Sequence, residues 1–278
     1  MDLGVHLPQL DLDGSGLSLA RLEATVRAAR ELGYVAVSAN DHLRFEPEWL
    51  DGLTALAAVL PTAAELELMT TIANPVVRGP VALARSLIAL RRLAGGPVVA
   101  GVGPGSSRAD YDAAGVPFEE RWSLFDAAVD SLRAELAGPD PVPMWIASWG
   151  SAAGLRRVSR VGDGWLASAY NTDPERFVAA LGALEPDLPH ALVTMWTWVT
   201  EDSEDARRVL HEVLGPALGR DPRELAGRLL VGPAGHCAEL LQRYADAGCR
   251  RVHVWPVAAE SDQLRLVAEA VLPRLSSG

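Results

Sequence analysis

The feature that most constrains this chain is a repeated change of hydrophobic period. Short runs rich in Val, Leu and Ile give way to longer stretches with apolar residues three and four apart. Fully buried strands give the first pattern and amphipathic helices the second, so the alternation is the syntax of strand-helix units. Residues 3–8 (LGVHLP) read as a first strand. Leu19, Leu22, Val26 and Ala29 form the stripe of the helix after it, closed by Gly33. Further strands are expected at 34–39, 65–72, 97–103, 143–148, 163–168, 190–199 and 251–257. Helices are expected between them, near 48–60, 80–93, 119–136, 151–162, 173–183, 202–214 and 235–247, with a last one at 261–274. About eight strands separated by helices imply parallel neighbours, hence a closed barrel or an open doubly wound sheet. No GxGxxG opens a helix after the first strand, which counts against the open sheet. The expected fold is an α/β (β/α)8 barrel, one domain over residues 1–278.

Composition then removes whole classes of function. A formal net charge of −11 repels phosphodiester backbones, so no nucleic-acid partner is expected. All 25 basic side chains are arginine, which leaves no Schiff-base lysine and no P-loop lysine. Cys237 and Cys249 are too few for a disulfide framework and lie in no metal-ligand spacing, as suits a reducing compartment. The opening MDLGVHLPQL lacks a basic n-region with a long apolar core, and no apolar run reaches the roughly 20 residues of a membrane span. A cytoplasmic enzyme with no membrane partner is expected.

In such barrels the chemistry sits just beyond the C-terminal ends of the strands. There the chain places His6, Asn40 to His42, Thr70 to Asn74, Gly101 to Ser107, Ser148 to Ser151, Ser168 to Asn171, Trp196, Trp198 and Trp255. Asp41-His42 puts a carboxylate beside an imidazole, suited to proton transfer or to bonding a bound ring, although Asp41 serves equally as a helix cap. His6 reads better as a barrel-core histidine. GVGPGSS (101–107) lets backbone approach a planar or phosphorylated ligand. SWGSAAG (148–154) opens a helix whose amides suit a phosphate, or holds ordinary caps at Ser148 or Ser151. A metal on His6, Asp41, His42 and His253 would need ligands from separate strands, and with no HxH or HExxH spacing no metal is expected. The tryptophans of the C-terminal half supply core and, near strand ends, apolar wall for a flat ligand.

Together these segments resemble the bacterial luciferase-like monooxygenase family, more closely its branch using the deazaflavin coenzyme F420. The resemblance runs through LGVHLP, ELGYVAVSANDH, the block from ANPVVRGP to PFEERW, PVPMWIASWGSAAGLRRVSRVGDGWL and YADAGCRRVHVWPV. It implies a (β/α)8 barrel with reduced flavin or deazaflavin across its mouth, the phosphate near the strand-five turn and the ring near the ends of strands two and three. On that resemblance His42 and Asp41 are the catalytic pair. Thr71 and Ile72 form a strand-three bulge joined by a cis peptide. Gly103, Gly105 and Ser106 belong to the cofactor loop, and Ser148, Gly150 and Ser151 to the phosphate turn, with backbone amides, hydroxyls or an arginine such as Arg78 holding the phosphate. Some sugar-phosphate dehydrogenases of the branch carry a glutamate where this chain has Ser106. With no lysine for a substrate phosphate, this argues against sugar-phosphate oxidation. The expected activity is F420-dependent hydride transfer to or from a small organic substrate. The alternatives are an FMN-dependent monooxygenase and a cofactor-binding barrel without turnover, and a homodimer stays open.

Overall fold

Runs such as Val98–Val102 are buried at every position, as strands covered on both faces must be. In the computed structural model, described for residues 1–276, nine strands form one parallel sheet. They are β1 (Asp2–His6), β2 (Ala36–Ala39), β3 (Glu67–Thr70), β4 (Val98–Val102), β5 (Met144–Ala147), β6 (Gly164–Ser168), β7 (His190–Val199), β8 (Leu230–Gly232) and β9 (Arg251–Pro256). Sequential pairing runs from β1 to β7, β7 then pairs with β9, and β9 returns to β1. Eight strands therefore close the (β/α)8 barrel. The ninth, β8, lies outside the ring and pairs with the end of β7 at Thr197 to Val199. The sequence reading passes over β8, because three residues are too few to display a period.

The α-helices of six residues or more are α1 (Leu19–Glu31), α2 (Gly52–Ala58), α3 (Pro80–Leu93), α4 (Arg108–Ala114), α5 (Arg121–Leu136), α6 (Ala152–Val161), α7 (Pro174–Leu181), α8 (Ser203–Arg208), α9 (Ala234–Asp246) and α10 (Glu260–Leu266). Asp202 rather than Ser203 caps α8, accepting from the amides of Glu204 and Asp205. The helix expected near 48–60 starts only at Gly52, where Asp51 accepts from the Thr54 amide. The long connection after β4 is not bare loop: it holds α4, capped by Ser107. No helix among the described residues is long and apolar enough to cross a membrane.

Alternate side chains of the strands divide the core in two. Those pointing outward join the helices in one large cluster, whereas Met69, Val99, Trp145, Leu166, Ala191 and Val193 pack as a second cluster inside the barrel. On the β1, β2 and β9 side the interior is polar. A Cβ on Gly4 would lie 2.6 Å from the His253 ring, and His253 Nδ1 is 3.0 Å from Ser38 Oγ. Burial pushes His6 and His253 down to about 3, so both imidazoles are neutral core groups, as expected for His6.

Candidate active site

His42 lies just beyond β2, with 18% of its side chain exposed. Its Nδ1 is 2.7 Å from Oδ2 of Asp110, brought in by α4 from 68 residues away. The other oxygen of Asp110 accepts the backbone amides of Leu43 (2.9 Å) and Arg44 (2.8 Å). Burial acts to raise the Asp110 pKa, but the bonds from His42 and from these two amides outweigh it and hold the carboxyl below its ordinary range. An ionised carboxylate only accepts, so Nδ1 of His42 carries a hydrogen and Nε2 is the nitrogen left for a ligand. Asp110 escaped the sequence reading. Its only local signal is Ser107, which caps α4 by accepting the Asp110 amide at 3.3 Å.

Asp41 points elsewhere. Its carboxylate takes two hydrogen bonds from Arg78, at 2.7 and 2.5 Å, and only 2% of its side chain is exposed. Arg78 also bonds Asp51, the cap of α2. The expectation of an arginine such as Arg78 at the coenzyme phosphate is thereby corrected, since two carboxylates already occupy its guanidinium. The network fixes the turn that presents His42.

Beside His42 stand Phe45 and Trp49, ring centroids 4.9 and 4.6 Å away. Trp49 meets the edge of Trp255 at 5.6 Å. Trp255 is stacked by His6 at 3.3 Å and by Trp196 at 4.0 Å. Both neighbours lie nearly parallel to it without stacking on each other, so they occupy opposite faces. Trp49 Nε1, His6 Nε2 and Thr71 Oγ1 are buried without hydrogen-bond partners. Buried polar atoms are ordinarily paired, so three orphans at one end of a barrel mark a place shaped for a polar ligand. Neither Trp49 nor Phe45 was singled out in the sequence, since a loop aromatic reads the same whether it packs or binds.

The remaining expected residues fall into two groups. The Thr71–Ile72 peptide is cis, in agreement with the resemblance. A Cβ on Gly103 would sit 3.4 Å from Ile72 Cδ1, and one on Gly105, where φ is +67°, 3.1 Å from Asn74 Nδ2. Asn74 Nδ2 in turn donates to Pro104 O at 2.7 Å, tying the strand-three and strand-four ends together. Ser106 is exposed on this loop. The second group follows β5. Ser148 Oγ accepts the Gly150 amide and Ser151 caps α6 by accepting the Gly154 amide, each at 3.2 Å. Gly150 has φ +84°, and the first amides of α6, Ala152 and Ala153, point out of the helix end. An open cleft of about 680 Å³ adjoins, lined by Gly150, Ala152, Leu155, Arg156, Ser159, Arg160 and Ala183. Among the described residues no group of three or more His, Cys, Asp or Glu side chains converges as a metal site would require.

Comparison with known proteins bears on the fold and the family. The uncharacterized protein Rv0953c of Mycobacterium tuberculosis is 26% identical over 154 residues, 48% of this chain. The match covers 55% of that protein, so the chain spans little more than half the length of the curated relatives it matches. The monooxygenase RslO1 from Streptomyces bottropensis superposes with a TM-score of 0.83 at 20% identity, over 98% of this chain and 99% of its own. An F420-dependent secondary alcohol dehydrogenase, solved with an F420-acetone adduct, gives 0.80 at 16% identity over 99% of each chain. The oxygenating constituent of 3,6-diketocamphane monooxygenase from Pseudomonas putida, in complex with FMN, gives 0.72 at 12% identity over 100% and 99%. At these identities the three structures establish the fold. The family model of the luciferase-like monooxygenases matches residues 1–227, four-fifths of the chain and the site described above apart from Trp255, and the chain belongs to that family.

Proposed function

We propose that this chain is an F420-dependent oxidoreductase that moves a hydride between the deazaflavin coenzyme and a small organic substrate at the barrel mouth. The observation that carries this reading is His42, whose Nδ1 is fixed by Asp110 so that Nε2 faces away from its partner. A hydride added to a carbonyl carbon must be matched by a proton gained at its oxygen, and one taken from a carbinol carbon by a proton lost from its hydroxyl. His42 supplies a proton carrier there, and the unpartnered Trp49 N–H supplies a neutral donor. Asp110 positions His42, and Asp41, tied to Arg78, holds the turn.

The residues present fit the coenzyme. Orphaned Thr71 Oγ1 offers a polar contact beside Ile72, and the backbone at Gly103 and Gly105 lies where a side chain would crowd its neighbours. Ser151 and the outward amides of Ala152 and Ala153 suit the phosphate at the positive end of α6. When bound, the coenzyme supplies the hydride carrier. A second reading, reduced FMN activating oxygen, uses the same mouth and draws support from the FMN-bound relative. Titrating the purified protein with F420 and with FMN, then following F420 turnover without oxygen and reduced-FMN turnover with oxygen on a panel of alcohols and carbonyls, tests both. F420 binding with hydride transfer supports the first reading. FMN binding with substrate-dependent oxygen uptake supports the second, and coenzyme binding without any turnover overturns both in favour of a binding barrel.

A further inference from the structure

The chain holds 25 arginines and 36 Asp and Glu residues, so an arginine without a carboxylate is informative when it is also removed from solvent. Among the described residues, only Arg220 and Arg228 are part-buried with no carboxylate oxygen within 4.0 Å. They lie in the segment between β7 and β8, and both reach the turn after β6. Arg220 donates to Asn171 Oδ1 at 3.2 Å and lies 4.9 Å over the Tyr170 ring. Arg228 donates to the Tyr170 carbonyl at 2.6 Å. Asn171 Nδ2 is buried without an acceptor, and so is Thr172 Oγ1, on a residue with no exposure at all. Two part-buried guanidiniums with neutral protein acceptors and a free amide thus meet at one turn, which the exposed Arg176 also reaches by donating to the Asn171 carbonyl at 3.1 Å. Charges withdrawn from water are costly unless paired, and a guanidinium fork matches a planar oxyanion.

The turn also belongs to the mouth. Tyr170 OH accepts from Trp196 Nε1, and Trp196 stacks on Trp255, which touches Trp49 and through it His42. An aromatic wall therefore connects the arginines with the proton carrier. Resting on the oxidoreductase reading for the reaction it serves, we infer that Arg220, Arg228 and Asn171 form an anion subsite for a carboxylate or phosphate on the organic substrate. The body of that substrate lies along the wall toward His42. The substrate class is then an organic acid or phosphate monoester. The absence of lysines, which at the sequence level spoke against a phosphate substrate, loses its force here because a guanidinium can also supply the cation that a phosphate needs.

Inorganic phosphate is the probe, followed by ³¹P NMR titration of the full chain with and without saturating F420 or FMN. Asn171→Asp is nearly isosteric and sets a carboxylate against Arg220, on the turn that Arg228 also holds. Arg220→Gln with Arg228→Gln removes the charge, and the Arg→Lys pair preserves it. The expected result is a phosphate-binding component weakened about tenfold or more by Asn171→Asp and by the Gln pair, and largely kept by the Lys pair. It should persist when coenzyme is saturating. No phosphate binding, or binding that ignores these variants and so reports an adventitious ion only, overturns the subsite. Displacement of this component by coenzyme also overturns it, by giving the arginines to the coenzyme. Failure to bind either coenzyme would sink the oxidoreductase reading alone, because the variant-sensitive phosphate signal is read without it.

Discussion

Asp110→Asn isolates the positioning of His42 from its presence. The carboxylate serves three donors: His42 Nδ1 at one oxygen, and the amides of Leu43 and Arg44 at the other. Asp110 is only 5% exposed, so solvent cannot readily replace what is lost. The amide keeps one acceptor oxygen, which the two backbone donors claim, and so its NH2 faces the imidazole. Two donors cannot share that bond, and His42 must move its hydrogen to Nε2 and accept at Nδ1. A hydrogen bond to a charged group contributes about 1.5–3 kcal/mol, and the substitution forfeits one of these at His42. If most of that loss falls on the transition state, hydride-transfer turnover drops about 10²-fold, equivalent to about 2.7 kcal/mol. Coenzyme affinity should stay within about threefold, because Asp110 touches the turn and not the proposed coenzyme contacts. Stopped-flow single-turnover kinetics with saturating F420 read the rate, and ¹⁵N NMR of the His42 ring reads the tautomer. An unchanged tautomer together with turnover within about twofold of wild type would refute the positioning role.

His42→Ala should lower turnover by about 10² or more with a small effect on coenzyme binding, and an unchanged turnover number removes His42 from the chemistry. Arg78→Ala strands Asp41, whose side chain is 2% exposed, beside Asp51; urea unfolding should show a loss of about 3–5 kcal/mol, and an unchanged midpoint would contradict the ion-pair account. The Asp110 carboxyl is held low in the fold, so its contribution to stability is present above its unfolded pKa near about 4 and is lost as pH falls through the lower folded value. Acid unfolding of wild type below about pH 4 should therefore include a loss that the Asp110→Asn protein lacks, and parallel stability curves for the two would count against it.

What could be read from the chain and what could not follows from how far each signal reaches. Strands such as Val98–Val102 and His190–Val199 were legible because a parallel strand buried on both faces writes a continuous apolar run. The three residues of β8 and the seven of α4 are too short to display a period, and α4 carries the group that matters most to His42. Asp41 and His42 looked like one functional unit because they are adjacent. Consecutive residues on a turn need not face one way, and here Asp41 turns to Arg78 while His42 turns to Asp110. The true partner of the imidazole lies 68 residues on, and the side-by-side order of β2, β3 and β4 brings the two loops together. Arg220 and Arg228 make the same point from the opposite side. In the sequence they are two of 25 like residues, and what sets them apart is the missing carboxylate, a property of their surroundings rather than of the residues themselves. Chemistry carried by one residue type at one strand end can be read early. Chemistry carried by a pairing, or by the lack of one, becomes legible only when the barrel has gathered its loops at one mouth.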